Sequence, residues 1–126
     1  MKTRWFYKDK GNWGSTDKDY SLCERGKNQS PINIEVSHCD VLLEEKVLGT
    51  IYSNENFEVQ DTGNLLLFKP LGDRNKVIYK GDVYWLKELS FHTPSEHTIN
   101  GNHYPMEMEL VHQNINGENL IISIFF

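Results

Sequence analysis

Long apolar runs are missing from this chain. Nothing in its 126 residues approaches the roughly 18 consecutive apolar positions of a membrane-spanning helix, which excludes that reading. The opening Met1-Lys2-Thr3-Arg4-Trp5 is not followed by the apolar core of a signal peptide. As written, the sequence therefore predicts a cytoplasmic protein, or a secreted or periplasmic one in processed form. An excess of basic charge is also missing. Thirteen Lys and Arg stand against 18 Asp and Glu, interspersed, for a net charge of −5. A nucleic-acid interface needs a basic stripe, and an anionic membrane surface attracts basic segments, so neither partner is expected. Cysteine is scarce. Cys23 and Cys39 admit one disulfide or two free thiols, and a lone pair says little about redox compartment. Internal repeats and low-complexity tracts are absent.

What is present fits one globular domain. Apolar residues make up 38% and charged residues 25%, and the fifteen aromatics (three Trp, six Tyr, six Phe) can fill a core. Residues 1–30 are polar and aromatic, with Gly11, Gly14 and Gly26 as turn points, and read as an irregular arm rather than a helix. Residues 31–126 read as sheet strands. Pro31 blocks helix, and Ile32 and Ile34 alternate, so an extended segment begins there. Asp40 is placed to cap a short helix over Val41 to Glu45.

From residue 50 the pattern is β. Thr50 to Tyr52, Phe57 to Val59, Leu65 to Phe68, Val77 to Tyr79, Val83 to Leu86, Glu88 to His92 and Met106 to His112 read as short strands. Lys80-Gly81-Asp82 is a hairpin or bulge signal, and Asn100-Gly101 and Asn116-Gly117 are turns. Thr93 to His103 reads as a loop. Leu120 to Phe126 is apolar on both faces, which places it in the middle of a sheet, covered on both sides. Exposed, it would drive self-association or binding to a complementary chain.

The densest polar cluster is Ser90-Phe91-His92-Thr93-Pro94-Ser95-Glu96-His97, followed by Tyr104-Pro105-Met106-Glu107-Met108-Glu109-Leu110-Val111-His112. Residues two apart on a strand share a face, so Ser90 and His92 point one way, as do Glu107, Glu109 and Val111. If the two strands pair, one imidazole and two carboxylates converge. One His with Glu is a weak metal signal, and a hydrogen-bonded core histidine beside solvated glutamates explains the spacing equally simply.

These two stretches together closely resemble the zinc-site strands of the α-class carbonic anhydrases. Gln29-Ser30-Pro31-Ile32-Asn33-Ile34 is similar to that family's N-terminal signature. Trp5-Phe6-Tyr7 and Trp13-Gly14 resemble its aromatic arm, and Tyr79-Lys80-Gly81 with Tyr84-Trp85-Leu86 the strand entering the site. The motifs run in order over nearly the whole chain. The resemblance implies a mainly β fold, a twisted and mostly antiparallel sheet, of which residues 1–126 would form a partial domain ending after the N-terminal half. It also implies reversible hydration of carbon dioxide to bicarbonate. In the family three neutral imidazoles hold Zn²⁺ and leave one position for water. The dication lowers that water's pKa to about 7, an effect for which carbonic anhydrase is itself the reference case.

The sequence departs from the family pattern at the ligands. Of the family's His-x-His pair, the first position is Ser90 and the second is His92; the third ligand position is Glu109. His112 should face away from Glu109 and cannot replace it. A serine hydroxyl is a poor zinc ligand, and a carboxylate reduces the metal's Lewis acidity. Zinc is thus expected to bind weakly or not at all, and catalysis to be lost or severely impaired. Alternatives are an active carbonate dehydratase whose altered site is completed by another chain, a non-catalytic binding module, and a fragment without function. By the same resemblance, Glu107 is the glutamate that orients the third ligand. Glu88 stands where a Gln orients the first, and His97 packs near Glu107. Glu96 is the glutamate that holds a gatekeeper threonine of the C-terminal half, and Asn64 replaces the proton-shuttle His. Cys23 matches a cysteine that, in bacterial members, pairs with one in that half.

Overall fold

The structure, a computed structural model, describes residues 21–40, 48–63 and 65–126. The chain divides into two compact units, Met1–Ile32 and Asn33–Phe126. In the first, a short helix α1 (Ser21–Arg25) replaces the irregular chain expected there. Gln29 closes its end by donating from Nε2 to the Leu22 and Gly26 carbonyls at 3.1 and 2.8 Å. That contact runs between residues seven apart, which local propensity does not register. The helix expected over Val41 to Glu45 lies outside the described residues.

The second unit is β. Its strands are β1 (Asn33–Ile34), β2 (Leu48–Ile51), β3 (Phe57–Asp61), β4 (Leu66–Pro70) and β5 (Lys76–Tyr79). They continue with β6 (Asp82–His92), β7 (Thr98–Ile99), β8 (Asn102–His103), β9 (Glu107–Gln113) and β10 (Asn119–Phe125). A single 3-10 turn, Val36–His38, follows β1. The main sheet runs β10-β9-β6-β4-β3, with β5 also on β6 and β2 on β5. All of its pairings are antiparallel. β6 serves two neighbours because it is long. Its first half takes β5, from Tyr79 opposite Asp82 to Lys76 opposite Trp85, and its second half takes β4, with Leu67 opposite Ser90. The stretch 93–103, expected as loop, holds the minor strands β7 and β8, which with β1 form a small second sheet.

Turn chemistry sets the hairpins. β5 and β6 are joined by Lys80 and Gly81 (φ 50° and 91°), and β7 and β8 by Asn100 and Gly101 (φ 49° and 79°). Positive φ at both central residues gives the tight turn that matches strand twist, and Gly adopts it without steric cost.

The sheet has two differently built faces, and a β-bulge separates them. The strands read separately as Val83 to Leu86 and Glu88 to His92 are one strand, β6, with a register shift between Leu86 and Glu88. Leu86 lies opposite His112, whereas Glu88 lies opposite Val111, so Lys87 is the extra residue. Strict alternation would put Tyr84, Leu86, Ser90 and His92 on one face. The bulge inverts the parity. Tyr84 and Leu86 consequently share the apolar side with Leu110 and His112, and Ser90 and His92 face the side of Glu109 and Glu107. The buried apolar side chains among the described residues, Val77, Tyr84, Leu86 and Leu110, all come from β5, β6 and β9.

β10 pairs with β9 alone among the described residues.

Candidate functional site

The register of β6 and β9 assembles the cluster. Ser90 lies opposite Glu109, and His92 opposite Glu107. Ser90, His92 and Glu107 are buried, the last completely. Around His92 three groups converge. Ser90 Oγ is 3.3 Å and Glu109 Oε2 3.5 Å from its Nε2, while Glu96 Oε2 is 3.7 Å from its Nδ1. The imidazole thus lies between two carboxylates, one at each ring nitrogen. The His92 pKa is raised above its ordinary 6.5. The hydrogen bond to Glu109 is the largest cause, burial opposes it, and the charges of Glu96, Glu109 and Glu107 reinforce it.

Glu107 performs a different task. Its Oε2 accepts hydrogen bonds from the backbone N–H groups of Glu96 and His97 at 2.8 and 3.0 Å, and its Oε1 accepts from His97 Nδ1 at 2.5 Å. Burial pushes this carboxyl up, but hydrogen bonds from the His97 backbone, Ser123 and the His97 side chain outweigh it. The net pKa is below the ordinary 4.5. Glu107 therefore clamps the segment after β6 onto β9, and that clamp sets where Glu96 stands. Glu107 and Glu109, two like charges on one face of β9, splay apart: Glu109 turns to His92 and Glu107 to His97.

The remaining predicted positions fall as follows. Glu88 is on the face of Ser90, opposite Val111. Asn64 lies outside the described residues. His112 is on the other face, fully buried, with Nε2 2.9 Å from the Tyr52 hydroxyl, and burial holds its pKa below 6.5. Cys23 and Cys39 are exposed free thiols. Sequence reasoning missed the approach of Glu96 to His92. Their spacing of four is a helical signal, and here it spans a strand end and a turn, so no periodicity announced it.

Among the described residues, two sets of three side chains bring ligand-type atoms within 4.8 Å of one another: His92, Glu96 and Glu109, and His97, Glu107 and Glu109. In the first, the carboxylates approach opposite ring nitrogens, whereas a metal takes one nitrogen of an imidazole. In the second, both Glu107 oxygens already accept hydrogen bonds. At the positions where the resemblance expects three imidazoles, the donors are one imidazole, one hydroxyl and one carboxylate, in mutual contact. These residues do not fit a three-imidazole zinc centre.

The sheet is antiparallel and carries a buried His–Glu cluster on its β6–β9 pair. The profile of the eukaryotic-type carbonic anhydrase family matches residues 8–122, and the chain belongs to that family. It is 31% identical to a carbonic anhydrase of Klebsiella pneumoniae, over 98% of this chain and 51% of that protein. It is 32% identical to one of Neisseria gonorrhoeae, over 91% of this chain and 44% of the other. Among solved structures, the α-carbonic anhydrase of Thermovibrio ammonificans in complex with sulfanilamide superposes with a TM-score of 0.80 at 36% identity. The match covers 90% of this chain and 50% of that one. Dioscorin complexed with ascorbate gives 0.76 at 28%, covering 92% and 48%. The chain spans about half the length of these relatives. Among the described residues no helix is long and apolar enough to cross a membrane.

Proposed function

We propose that this chain is a carbonic-anhydrase-related protein that retains the family's sheet without its zinc-hydroxide chemistry, so that hydration of carbon dioxide is absent or severely impaired. The observation that carries the reading is the occupancy of His92 Nε2. The Ser90 hydroxyl and the Glu109 carboxylate stand 3.3 and 3.5 Å from it, where the family resemblance calls for two further imidazoles. A catalytic zinc needs three strong protein ligands and an open position. A hydroxyl contributes little, and a carboxylate beside the metal weakens its polarisation of water.

Zinc content and carbon dioxide hydration test this together. After dialysis against zinc and then buffer, the chain is expected to retain far less than one equivalent and to hydrate carbon dioxide at the buffer rate. One tightly held zinc with measurable hydration refutes the proposal. The double variant Ser90→His/Glu109→His should gain zinc affinity by more than the about 10–100-fold associated with a ligand-supporting residue. No gain in a folded variant would mean that the ligand substitutions are not the cause.

A second reading is a binding module. It is supported by dioscorin, a protein of this fold whose structure holds ascorbate. Ligand binding without zinc uptake, measured calorimetrically, would favour it over a chain with no ligand at all.

A further inference from the structure

The segments that join β2 to β3 and β4 to β5 build a second polar site, separate from the His92 cluster. Residues 52–56 are pinned at four points. The Tyr52 hydroxyl meets His112 Nε2 at 2.9 Å, and Asn75 Oδ1 accepts from the Ser53 backbone N–H at 2.7 Å. Asn75 Nδ2 donates to Glu55 Oε2 at 2.8 Å, and the Asn56 carbonyl accepts from the Leu71 N–H at 2.9 Å. Asn75 is 4% exposed, and its own carbonyl accepts from the Leu86 N–H at 2.9 Å. One buried asparagine therefore ties both segments to β6 and fixes the Glu55 carboxylate.

Between the segments lies a cavity of about 350 Å³, lined by Asn54, Glu55, Asn56, Leu71, Gly72 and Arg74. That volume is within the range of small-molecule sites. Gly72 makes room for the carboxylate, since a Cβ at this position would overlap Glu55 Oε1. Glu55 thus gives Oε2 to Asn75 and keeps Oε1 beside Gly72 on the cavity wall. Arg74 stands on the same cavity, and among the described residues no hydrogen bond or ion pair joins it to Glu55. Leu71, 68% exposed, adds an apolar surface, and Asn54 and Asn56 add amide donors and acceptors.

We infer that this cavity binds a small zwitterion of the free α-amino acid class, with its ammonium on Glu55, its carboxylate on Arg74 and an apolar side chain against Leu71. Opposite charges that line one cavity without neutralising each other are complementary to a molecule that carries both. A guanidinium takes a carboxylate through two parallel hydrogen bonds, and an ammonium on a carboxylate makes a charge-assisted one. A ligand with only a negative charge would be repelled by Glu55, and one with only a positive charge by Arg74. Because the walls are already held by buried partners, binding has little ordering cost to overcome. The inference does not rest on the lost zinc chemistry. None of these residues belongs to the His92 cluster, and binding here and zinc content are read separately.

L-Leucine titrated into the isotope-labelled 126-residue chain should give saturable shifts of the Asn56, Gly72 and Arg74 amide signals in nuclear magnetic resonance spectra. Leucinamide lacks the carboxylate and N-acetyl-leucine the ammonium, and each should bind about tenfold or more weakly. Glu55→Gln keeps an acceptor for Asn75, so the walls stay in place. It should weaken leucine by about tenfold or more and leave N-acetyl-leucine no weaker. Arg74→Gln, an exposed substitution, should weaken leucine to a similar extent and leave leucinamide no weaker. Gly72→Ala, whose Cβ displaces Glu55 Oε1, should weaken leucine as well. The inference is overturned if millimolar leucine gives no saturable shift, if leucinamide or N-acetyl-leucine binds as tightly as leucine, or if either charge variant binds leucine as the parent does.

Discussion

At the scale of single residues, two buried ionisable groups divide the work of the β6–β9 pair. Glu107 is structural. Its fully buried carboxylate accepts from two backbone N–H groups and one imidazole that are themselves largely withdrawn from water. Glu107→Ala should destabilise the chain by on the order of 3 kcal/mol, because it strands those donors in the interior. Glu107→Gln, which keeps one acceptor oxygen, should cost less. Urea titration of both variants checks the order, and an alanine variant as stable as the parent would contradict it.

His112 is the residue for pH. Its folded pKa lies below the unfolded 6.5 because burial penalises the charged ring. Below 6.5 the unfolded chain takes up a proton that the folded one resists, so stability should fall as pH drops through that value. The raised pKa of His92 has the opposite sign, and its contribution is complete below 6.5 and lost only above. The lowered carboxyl of Glu107 enters only below about 4.5. Between these limits, among the shifted groups, the slope belongs to His112. Stability measured at several points in that window should decline in the parent and flatten in His112→Gln. An unchanged slope in the variant would remove His112 as the cause.

At the scale of elements, the bulge at Lys87 decides the most. Lys87 is the residue by which β6 outnumbers β9, so removing it leaves Leu86 opposite His112 and Glu88 opposite Val111 in a ladder without a bulge, with Tyr84 and Leu86 still on the face away from Ser90 and His92. Deletion of Lys87 is therefore expected to leave a cooperatively unfolding chain. Lys87→Ala, which keeps the residue count, should stay within about 0.5 kcal/mol of the parent, as exposed substitutions usually do. Loss of the near-ultraviolet circular dichroism signal in the deletion variant would show that the bulge itself is needed and not only the register on either side of it.

At the scale of the whole molecule, the legible and the illegible separate by range. The sheet strands from residue 48 onward, and the turns Lys80-Gly81 and Asn100-Gly101, follow from alternation and from the φ preferences of glycine and asparagine. The letters of the cluster, Ser90 and His92 on one strand and Glu107 and Glu109 on the next, were likewise visible. Those properties depend on a residue and its near neighbours, and the amino-acid sequence determines them by itself. It could not place the bulge, because parity along β6 is settled by which β9 residue each position meets. Nor could it set the register of β10 on β9, which the pairing of Asn119 with Gln113 through Phe125 with Glu107 fixes. The His92–Glu96 approach, the splaying of Glu107 from Glu109 and the Tyr52–His112 contact belong with these. Each joins groups that come together only when separate strands and turns are brought into register, and the tertiary structure alone decides that.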